Sequence, residues 1–594
     1  MPEHVREIVE GVSRGTTGGE VRETLEKMVA YVDATATEEE EEKARMEFVS
    51  GDLPSLLAGK MEGGGEGGMV AAAAYGVAEL AKGKRFREVV GSDAGPGVVA
   101  SVVAAVAAAE NSSSLGDDES ETLIQLMRAV GNMSYYNDKN REVLHGCGLG
   151  AGLLGVVGLL DGMDSRLALV TMGALGNYIA SDANTYVEDV GGLEIVPFIL
   201  SGMDVSCSFG MKMMATRAFL ATWYDATWEH IHANLNIMDI LLALVSDQDA
   251  EQSCVYEALS TVTNQAVVAR EVATNKALLA TLMATASSRD EDDEDAAAAA
   301  ASTLANLALV DELVPILVEE NVVTTFCSLV AAPPGTGSPL AVRKAIMLLL
   351  GNMARSDDRC LALRDAGFVE ASLFNLALIA DNDEELSLQH AILGSLRNLA
   401  ISGPCRDALR DSGLIPALLP ILNSPHQPMQ FNAAAILRHL IKHDLDAGVG
   451  APSAALAAAA AGKVAGQAAY VEALIKLSAS DAVNVKMEAC RALAFLSMYD
   501  ESKGGTFQTV DEMTFCVPLI SSQFDVLRKE GMAALESGKA SGIEGLVGDG
   551  VVDAVNVLLG RAPPVDGGED GEEGDEKLEL SESEVGRLEA LLDA

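Results

Sequence analysis

The sequence is poor in basic residues. Only 41 Lys and Arg stand against 88 Asp and Glu in 594 residues, and the formal net charge is −47. Binding to nucleic acid or to an anionic membrane depends on Lys and Arg displacing counterions, so this balance argues against a general binder of either kind. A basic partner complements such a surface. A protein whose composition is adapted to high salt would have the same excess of acidic over basic residues.

Aromatic residues are also scarce, at 4% of the chain with two Trp. A chain that is 49% hydrophobic and 22% charged can still bury a large core, which we expect to be aliphatic. The eight cysteines form no CxxC pair and indicate scattered thiols in a reducing compartment. Signal-peptide features and apolar runs long enough to span a bilayer are missing, so we expect a cytoplasmic protein, in the cytosol with the nucleus possible.

Motifs for catalysis, metal binding and nucleotide binding are missing as well. His439 and His443 are four residues apart, but no HEXXH motif is formed. The segment HGCGLGAG at 145–152 fails the GxGxxG spacing, and no GK pair completes a Walker A loop. No GxSxG motif occurs. We therefore expect no catalytic residues, no metal, no cofactor and no enzyme activity.

A repeat of about 45 residues organises the chain. A helix rich in small residues recurs and ends on a polar side chain at Asn132, Asn177, Asn306, Asn352 and Asn398. The first two are 45 residues apart, and the last three follow one another at intervals of 46. Weaker copies place Glu79, Thr222, Asn264, His439 and Phe495 at the same point. This period falls in the range of about 40–47 residues that HEAT and armadillo repeats share.

One unit shows three helices per repeat. Leu388, Ile392 and Leu396 recur at helical spacing and define one face of a long helix over 386–401. A short helix follows, Gly413 permits the positive φ of a sharp turn, and Pro416 opens the next helix at its first position. HEAT repeats have two helices, so the pattern favours armadillo repeats. The predicted fold is all-α, a right-handed superhelical armadillo solenoid of about a dozen three-helix repeats.

Four segments follow from this pattern. We predict an N-terminal segment over 1–20, the solenoid over 21–560, an acidic glycine-rich linker over 561–577 and a C-terminal amphipathic helix over 578–594. That helix either caps the solenoid or binds a partner, and capping is favoured because a solenoid end needs a cover. The acidic runs that begin at Asp117 and Asp290 are expected between helices, where insertions are tolerated. The alanine-rich stretch at 454–461 fits either a loop or a degenerate helix.

The polar position at the end of each long helix predicts a binding groove. In an armadillo solenoid these helices line the concave surface, and an Asn side chain there can both donate to and accept from a peptide backbone. The candidates are Asn132, Asn177, Asn264, Asn306, Asn352 and Asn398. The alternative is that each Asn satisfies a local backbone group at a helix end, but recurrence at one register favours the groove. Nearby acidic residues would attract a basic tail, namely Asp138, Asp182, Asp225, Asp357 and Asp358.

Three consecutive segments carry a more specific resemblance. They read GNMARSDD at 351–358, LSLQHAILGSLRNLAI at 386–401 and PHQPMQF at 425–431. The motifs GNxARxD, QHA…LRNLAI and PxQF, in this order, resemble successive repeats of the smgGDS family of small-GTPase GDP-dissociation stimulators. The likeness is good from about 123 to 443. An unrelated armadillo protein would have no reason to share these motifs in this order.

The resemblance implies a monomeric partner of Rho- and Rap-type GTPases that have a basic and often prenylated C-terminal tail. It implies a chaperone, or an exchange factor that loosens GDP without catalytic residues of its own. Carried over by motif, its binding residues are Asn352, Arg355, Gln389, His390 and Asn398.

Asp225 is a weaker match, because the surrounding TWYDATW departs from the family's pattern. Importin-α is disfavoured, since its sites pair groove Asn with Trp and this chain has Trp only at 223 and 228. The alternative function is a generic armadillo adaptor that binds an extended basic peptide and has no exchange activity.

Overall fold

The computed structural model describes most of the chain as helix. The described residues are 2–35, 37–62, 67–90, 96–109, 116–160, 162–180, 184–331, 339–377, 383–446, 467–498, 513–540, 549–559, 580 and 582–592. Within these ranges there are 35 α-helices, four 3-10 helices and no strand. The chain divides into two compact units, Met1–Ala269 and Arg270–Ala594.

The first unit is built from eighteen helices, the last of which contains the boundary. They are α1 (Glu3–Arg14), α2 (Gly18–Asp33), α3 (Glu38–Ser50), α4 (Leu53–Glu62), α5 (Gly67–Leu80), α6 (Lys84–Val90), α7 (Pro96–Ala109), α8 (Asp117–Ser134), α9 (Asp138–Gly146), α10 (Leu149–Gly158), α11 (Arg166–Ile179), α12 (Thr185–Asp189), α13 (Val196–Gly202), α14 (Phe209–Thr222), α15 (Trp228–Asn234), α16 (Ile237–Val245), α17 (Gln252–Val262) and α18 (Ala266–Thr274). A 3-10 helix at Gly192–Glu194 precedes α13.

The second unit continues the same pattern. Its helices are α19 (Lys276–Ala286), α20 (Glu294–Leu307), α21 (Val314–Glu319), α22 (Val322–Val330), α23 (Leu340–Met353), α24 (Asp357–Asp365), α25 (Phe368–Leu376), α26 (Asp383–Ile401), α27 (Arg406–Asp411), α28 (Leu414–Leu422), α29 (Gln427–Asp446), α30 (Gln467–Ser478), α31 (Val483–Ser497), α32 (Cys516–Ile520), α33 (Asp525–Ala540), α34 (Asp549–Leu558) and α35 (Glu582–Leu592). Three 3-10 helices lie at Glu291–Asp293, Asp311–Leu313 and Gly403–Cys405.

Long helices from successive repeats pack side by side within each unit. In the first unit they are α2, α5, α8, α11, α14 and α17, and in the second α20, α23, α26, α29, α31 and α33. These twelve helices in the described part of the chain match the predicted dozen repeats. The predicted all-α armadillo architecture is thereby confirmed.

The repeat analysed from sequence has the predicted helices. Its long helix runs from Asp383 to Ile401, and a 3-10 turn and the short α27 follow it. Gly413 has a φ of +88°, as predicted, and begins the turn into α28. Pro416 is the third residue of that helix rather than the first, which is still within the first turn, where an N–H has no intrahelical acceptor. Small residues and aliphatic side chains fill the interior of the stack.

The acidic runs lie at helix starts, contrary to the prediction that they lie between helices. Asp117 is the first residue of α8, and two further acidic residues follow in its first turn. The run that begins at Asp290 forms the 3-10 turn Glu291–Asp293 and continues into the first turn of α20. Free N–H groups and the positive end of the helix dipole favour carboxylates at these positions.

The C-terminal helix α35 packs against α33 and α34. Glu584 of α35 and Arg528 of α33 form an ion pair of 3.3 Å. Both side chains are buried, with exposed fractions of 6% and 5% respectively. Arg587 pairs with Glu536 at 2.7 Å, and Leu588 is buried. The predicted linker at 561–577 and the alanine-rich stretch at 454–461 lie outside the described residues.

Helix length and composition decide whether a helix can cross a bilayer. In the described part of the chain, no single helix is both long and apolar enough to cross a bilayer. One bent pair, Glu294–Leu307 with Asp311–Glu319, passes these criteria only when the two helices are taken together.

Candidate functional site

The ladder asparagines connect neighbouring repeats. In four of them Nδ2 donates a hydrogen bond to a backbone carbonyl of the preceding long helix. The pairs are Asn132 with Ala78 (2.9 Å), Asn177 with Gly131 (3.0 Å), Asn352 with Ala305 (3.1 Å) and Asn398 with Gly351 (3.1 Å). Every acceptor lies one residue before the ladder position of its own repeat, in the last turn of its helix. Carbonyls of a last turn lack full intrahelical pairing, so these carboxamides cap them.

This geometry refines both interpretations of the ladder. The Asn side chain does satisfy a backbone group, but the group belongs to the neighbouring repeat rather than to the local helix end. All four asparagines remain partly exposed. An Asn carboxamide that donates one N–H retains its second N–H and its Oδ1 acceptor. Peptide binding by these residues therefore stays a prediction that is compatible with the structural role.

Glycines next to the ladder allow the long helices to approach closely. A Cβ at Gly351 would lie 2.1 Å from Ser395 Oγ and 3.3 Å from Ser395 Cα. A Cβ at Gly131 would lie 3.2 Å from Ala174 Cα. In Gly131-Asn132 and Gly351-Asn352 the glycine allows the following long helix to approach closely, whereas the asparagine caps a carbonyl of the preceding one. The sequence pattern indicated the polar position but not the role of the glycine, because that role depends on how closely the neighbouring helix packs.

Other residues at the ladder position behave differently. Asn264 is exposed just after α17, and Asn306 is partly exposed in α20. Thr222 is buried and its hydroxyl donates to Phe219 O at 2.7 Å. Glu79 is buried and forms ion pairs of 2.6 Å with both Lys82 and Arg128. Burial raises the pKa of Glu79, but hydrogen bonds from these two cations outweigh it, so the pKa lies below its usual value.

The acidic residues near the ladder are partly used within the protein. Asp138 pairs with Arg141, and Asp357 accepts a hydrogen bond of 2.7 Å from Ser402. Asp225 is exposed in the turn between α14 and α15, and Asp358 is exposed at the start of α24. Asp182 lies outside the described residues.

Arg355 also connects two repeats. Its guanidinium donates to Leu309 O at 3.0 Å and lies 3.5 Å from Asp311 Oδ1. Both partners belong to the preceding repeat, at the segment that follows α20. Arg355 is about one third exposed, at 36%, so one side of the guanidinium faces solvent.

A cavity of about 290 Å³ opens between the long helices α26, α29 and α31. Its lining residues are His390, Gly394, Arg397, Gln427, Pro428, Phe431, Asn432 and Asn484. The predicted site residue His390 is part of this lining, whereas Gln389 is a partly exposed neighbour that does not line the cavity. Asn398 lies two turns further along α26 than His390.

The surroundings of this cavity are cationic. Arg397 donates to Asn432 Oδ1 at 3.1 Å, and its guanidinium lies 5.3 Å from the centre of the Phe431 ring. Burial, followed by the charge of Arg397, lowers the pKa of His390. The acidic, Asn-lined groove stays a prediction; the described lining of this cavity contains the Arg397 guanidinium and no carboxylate.

His439 lies in the same cationic environment. Burial and the nearby Arg438, Arg406, Arg491 and Arg397 lower its pKa to about 3. Its Nε2 lies 2.8 Å from Arg438 Nη2.

His443 instead contacts a carboxylate on another helix. Its Nε2 lies 3.2 Å from Asp407 Oδ1, so His439 and His443 have different partners. Over the described residues, no group of three or more His, Cys, Asp or Glu side chains could hold a metal ion.

A family model and several solved structures resemble parts of this chain. The family model for armadillo/beta-catenin-like repeats matches residues 404–442. A designed armadillo repeat protein is among similar solved structures, with a TM-score of 0.35, 19% identity, and coverage of 44% of this chain and 99% of that chain. The chain thus has an armadillo-type helical architecture, and one of its repeats matches the armadillo/beta-catenin-like repeat model.

Two curated relatives make the resemblance more specific. Rap1 GTPase-GDP dissociation stimulator 1-B of Xenopus laevis is 25% identical over 435 residues, which is 71% of this chain and 69% of that protein. The GTPase-GDP dissociation stimulator vimar of Drosophila melanogaster is 37% identical over 97 residues, 16% of this chain and 14% of that protein. The resemblance to GTPase-GDP dissociation stimulators predicted from the sequence motifs is confirmed.

Proposed function

We propose that this protein binds small GTPases and stimulates the release of their GDP, as a regulator without catalytic residues of its own. The observation that carries the proposal is the similarity over 435 residues to a protein named a GTPase-GDP dissociation stimulator. The proposed partners are Rho- and Rap-type GTPases, and the proposed setting is a monomer in the cytosol.

Differential binding explains how such a protein acts without reacting groups. A partner that binds the nucleotide-free GTPase more tightly than the GDP-bound form must weaken GDP binding by the same factor. The binding surface must therefore favour one conformation of the GTPase. It need not supply an acid, a base or a nucleophile.

The ladder supplies contacts for the basic C-terminal tail of the GTPase, which is often prenylated. An extended tail presents backbone N–H groups, which can donate hydrogen bonds to the Oδ1 atoms of Asn132, Asn177, Asn352 and Asn398. Exposed carboxylates such as Asp225 and Asp358 attract its Lys and Arg side chains. The cationic surroundings of Arg397 disfavour the tail, so we assign the tail to other parts of the ladder.

The test is release of fluorescent GDP from purified Rho- and Rap-type GTPases, each with and without its basic tail. We expect acceleration that depends on the tail and weakens as salt rises. Asp225→Asn should reduce it, whereas Asp239→Asn, an equal change of charge at an exposed position in α16, should not. Because both positions are exposed, neither change should unfold the protein.

The possible outcomes separate the candidate functions. Binding of a lipidated tail without faster GDP release would identify a chaperone that lacks exchange activity. If no GTPase and no tail binds, the proposal fails. The generic adaptor for an extended basic peptide then becomes the better explanation, since the ladder geometry alone supports it.

A further inference from the structure

The cavity between α26, α29 and α31 combines one guanidinium with several neutral polar groups. Gln427, Asn432 and Asn484 provide carboxamides, and Pro428 and Phe431 provide apolar surface. Asn432 is buried and holds Arg397 by accepting its hydrogen bond. The guanidinium is thus positioned at the cavity by a neutral partner on one side and by an aromatic ring on another.

Arg397 differs from the other arginines of these helices in its partners. Arg438 pairs with Glu488 at 2.5 Å, and Arg491 pairs with Glu530 at 2.7 Å. Across the described ranges, Arg397 has no carboxylate within ion-pair distance. Its charge is therefore compensated only by a neutral amide and a ring face.

An uncompensated guanidinium in a partly buried cavity favours an anion. A carboxylate can accept two parallel hydrogen bonds from a guanidinium, in a geometry that an ammonium group cannot match. The neighbouring carboxamides can pair with a peptide backbone, and the ring and the proline suit the apolar part of a side chain. A strand of nucleic acid fits less well, because the lining holds one guanidinium and no row of cations for successive phosphates.

We propose that this cavity binds an Asp or Glu side chain within an extended, acidic segment of a protein partner. Arg397 pairs with the carboxylate, His390 lies at the same cavity, and Gln427 and Asn484 contact the backbone of the segment. The site has the opposite charge preference to the basic-tail contacts proposed above. It stands whether or not the partner is a GTPase.

The test uses the full chain and a fluorescein-labelled octapeptide of alternating Glu and Ala, with an octapeptide of alternating Gln and Ala as its matched control. Fluorescence anisotropy should show the Glu peptide binding at least about tenfold more tightly than the Gln peptide. Arg397→Gln should abolish this difference. Lys344→Gln, which removes an exposed cation from α23 outside the cavity, should leave it unchanged.

A second variant guards against a folding defect in Arg397→Gln. His390 is exposed, so His390→Asp should keep the fold and place a negative charge at the cavity. It should weaken binding of the Glu peptide by at least about tenfold and leave the affinity for the Gln peptide unchanged.

Equal affinity for the two peptides would overturn the proposal, as would a difference that survives both Arg397→Gln and His390→Asp. Arg397-dependent binding of the Glu peptide that inorganic phosphate abolishes at a concentration equal to that of the peptide would also overturn the proposal, because it would show a general anion site.

Discussion

Four ladder asparagines, Asn132, Asn177, Asn352 and Asn398, lie beside the last turn of the preceding long helix. Each carboxamide reaches a carbonyl that is far away in sequence, such as Gly351 O for Asn398, 47 residues apart. Gly351 has no Cβ, which lets α26 approach α23 closely enough for this bond. These asparagines therefore have a structural role, and any binding role adds to it.

Replacing Asn398 by alanine should loosen the end of α23. Loss of one hydrogen bond to a partly buried carbonyl costs about 1 kcal/mol. We expect amide hydrogen exchange in the last turn of α23 to rise about fivefold, measured by mass spectrometry. Asn264→Ala, at an exposed ladder position, should leave exchange unchanged. Unchanged exchange in Asn398→Ala would show that the capping bond contributes no stability.

Gly351→Ala should destabilise the stack at the α23–α26 interface. The new Cβ meets both the side chain and the backbone of Ser395, so the helices must separate at a cost of about 1–3 kcal/mol. Gly394→Ala, on the facing helix with no atom within 4 Å of the new Cβ, should instead be neutral or stabilising. Thermal unfolding followed by circular dichroism compares the two, and equal melting temperatures would contradict the close-approach explanation.

At the level of elements, helix α35 is held to α33 by a buried ion pair as well as by apolar contact. Glu584→Gln removes the nearest carboxylate of the buried Arg528, which then retains Asp525 at 3.7 Å and the carbonyls of Ser522 and Gln523. This change should cost about 1.5–3 kcal/mol and loosen α35, because a buried charge-assisted hydrogen bond is lost.

Limited proteolysis near the C-terminus measures the release of α35. The double replacement Arg528→Met with Glu584→Leu should restore resistance, since an apolar pair avoids the desolvation cost. Equal protease resistance of Glu584→Gln and wild type would show that the ion pair does not hold α35.

The cationic helices around His439 predict a pH dependence of stability. Burial and four neighbouring arginines lower the folded-state pKa to about 3, whereas an ordinary histidine titrates near 6.5. The unfolded chain then binds a proton that the folded chain does not, so this contribution is complete above about pH 6.5 and is lost as pH falls toward 3.

Replacement of His439 tests this origin. Between pH 7 and pH 5, the melting temperature of His439→Gln should fall less than that of wild type. The variant His230→Gln, at an exposed position in α15, should follow wild type. Parallel pH profiles for His439→Gln and wild type would contradict the assignment.

At the scale of the whole molecule, the net charge of −47 acts on every repeat. Self-repulsion among carboxylates opposes compaction and is screened by salt over about 10 Å at 0.1 M. We expect the melting temperature to rise between low and moderate KCl concentrations, measured by differential scanning fluorimetry. Sucrose at matched osmolality controls for solvent effects, and a melting temperature that is flat or falls with KCl would contradict this expectation.

The sequence by itself determined the repeat period, the three-helix unit and the all-α class, because these depend on local signals. Helical spacing at Leu388, Ile392 and Leu396 and the positive φ at Gly413 need only a few neighbouring residues. The motif order also pointed correctly to the dissociation stimulators. Placement of the acidic runs failed, because insertion tolerance was weighed above the preference of helix N-termini for carboxylates.

Only the tertiary structure decided what the candidate site residues contact. Across neighbouring repeats, Asn398 donates a hydrogen bond to Gly351 O, Arg355 donates one to Leu309 O, and Arg397 donates one to Asn432 Oδ1. Such contacts depend on how closely two helices stack and on where their side chains extend, which no local pattern specifies. For the same reason an overall charge of −47 did not reveal the cationic cavity, since local potential follows the few charges that packing brings together.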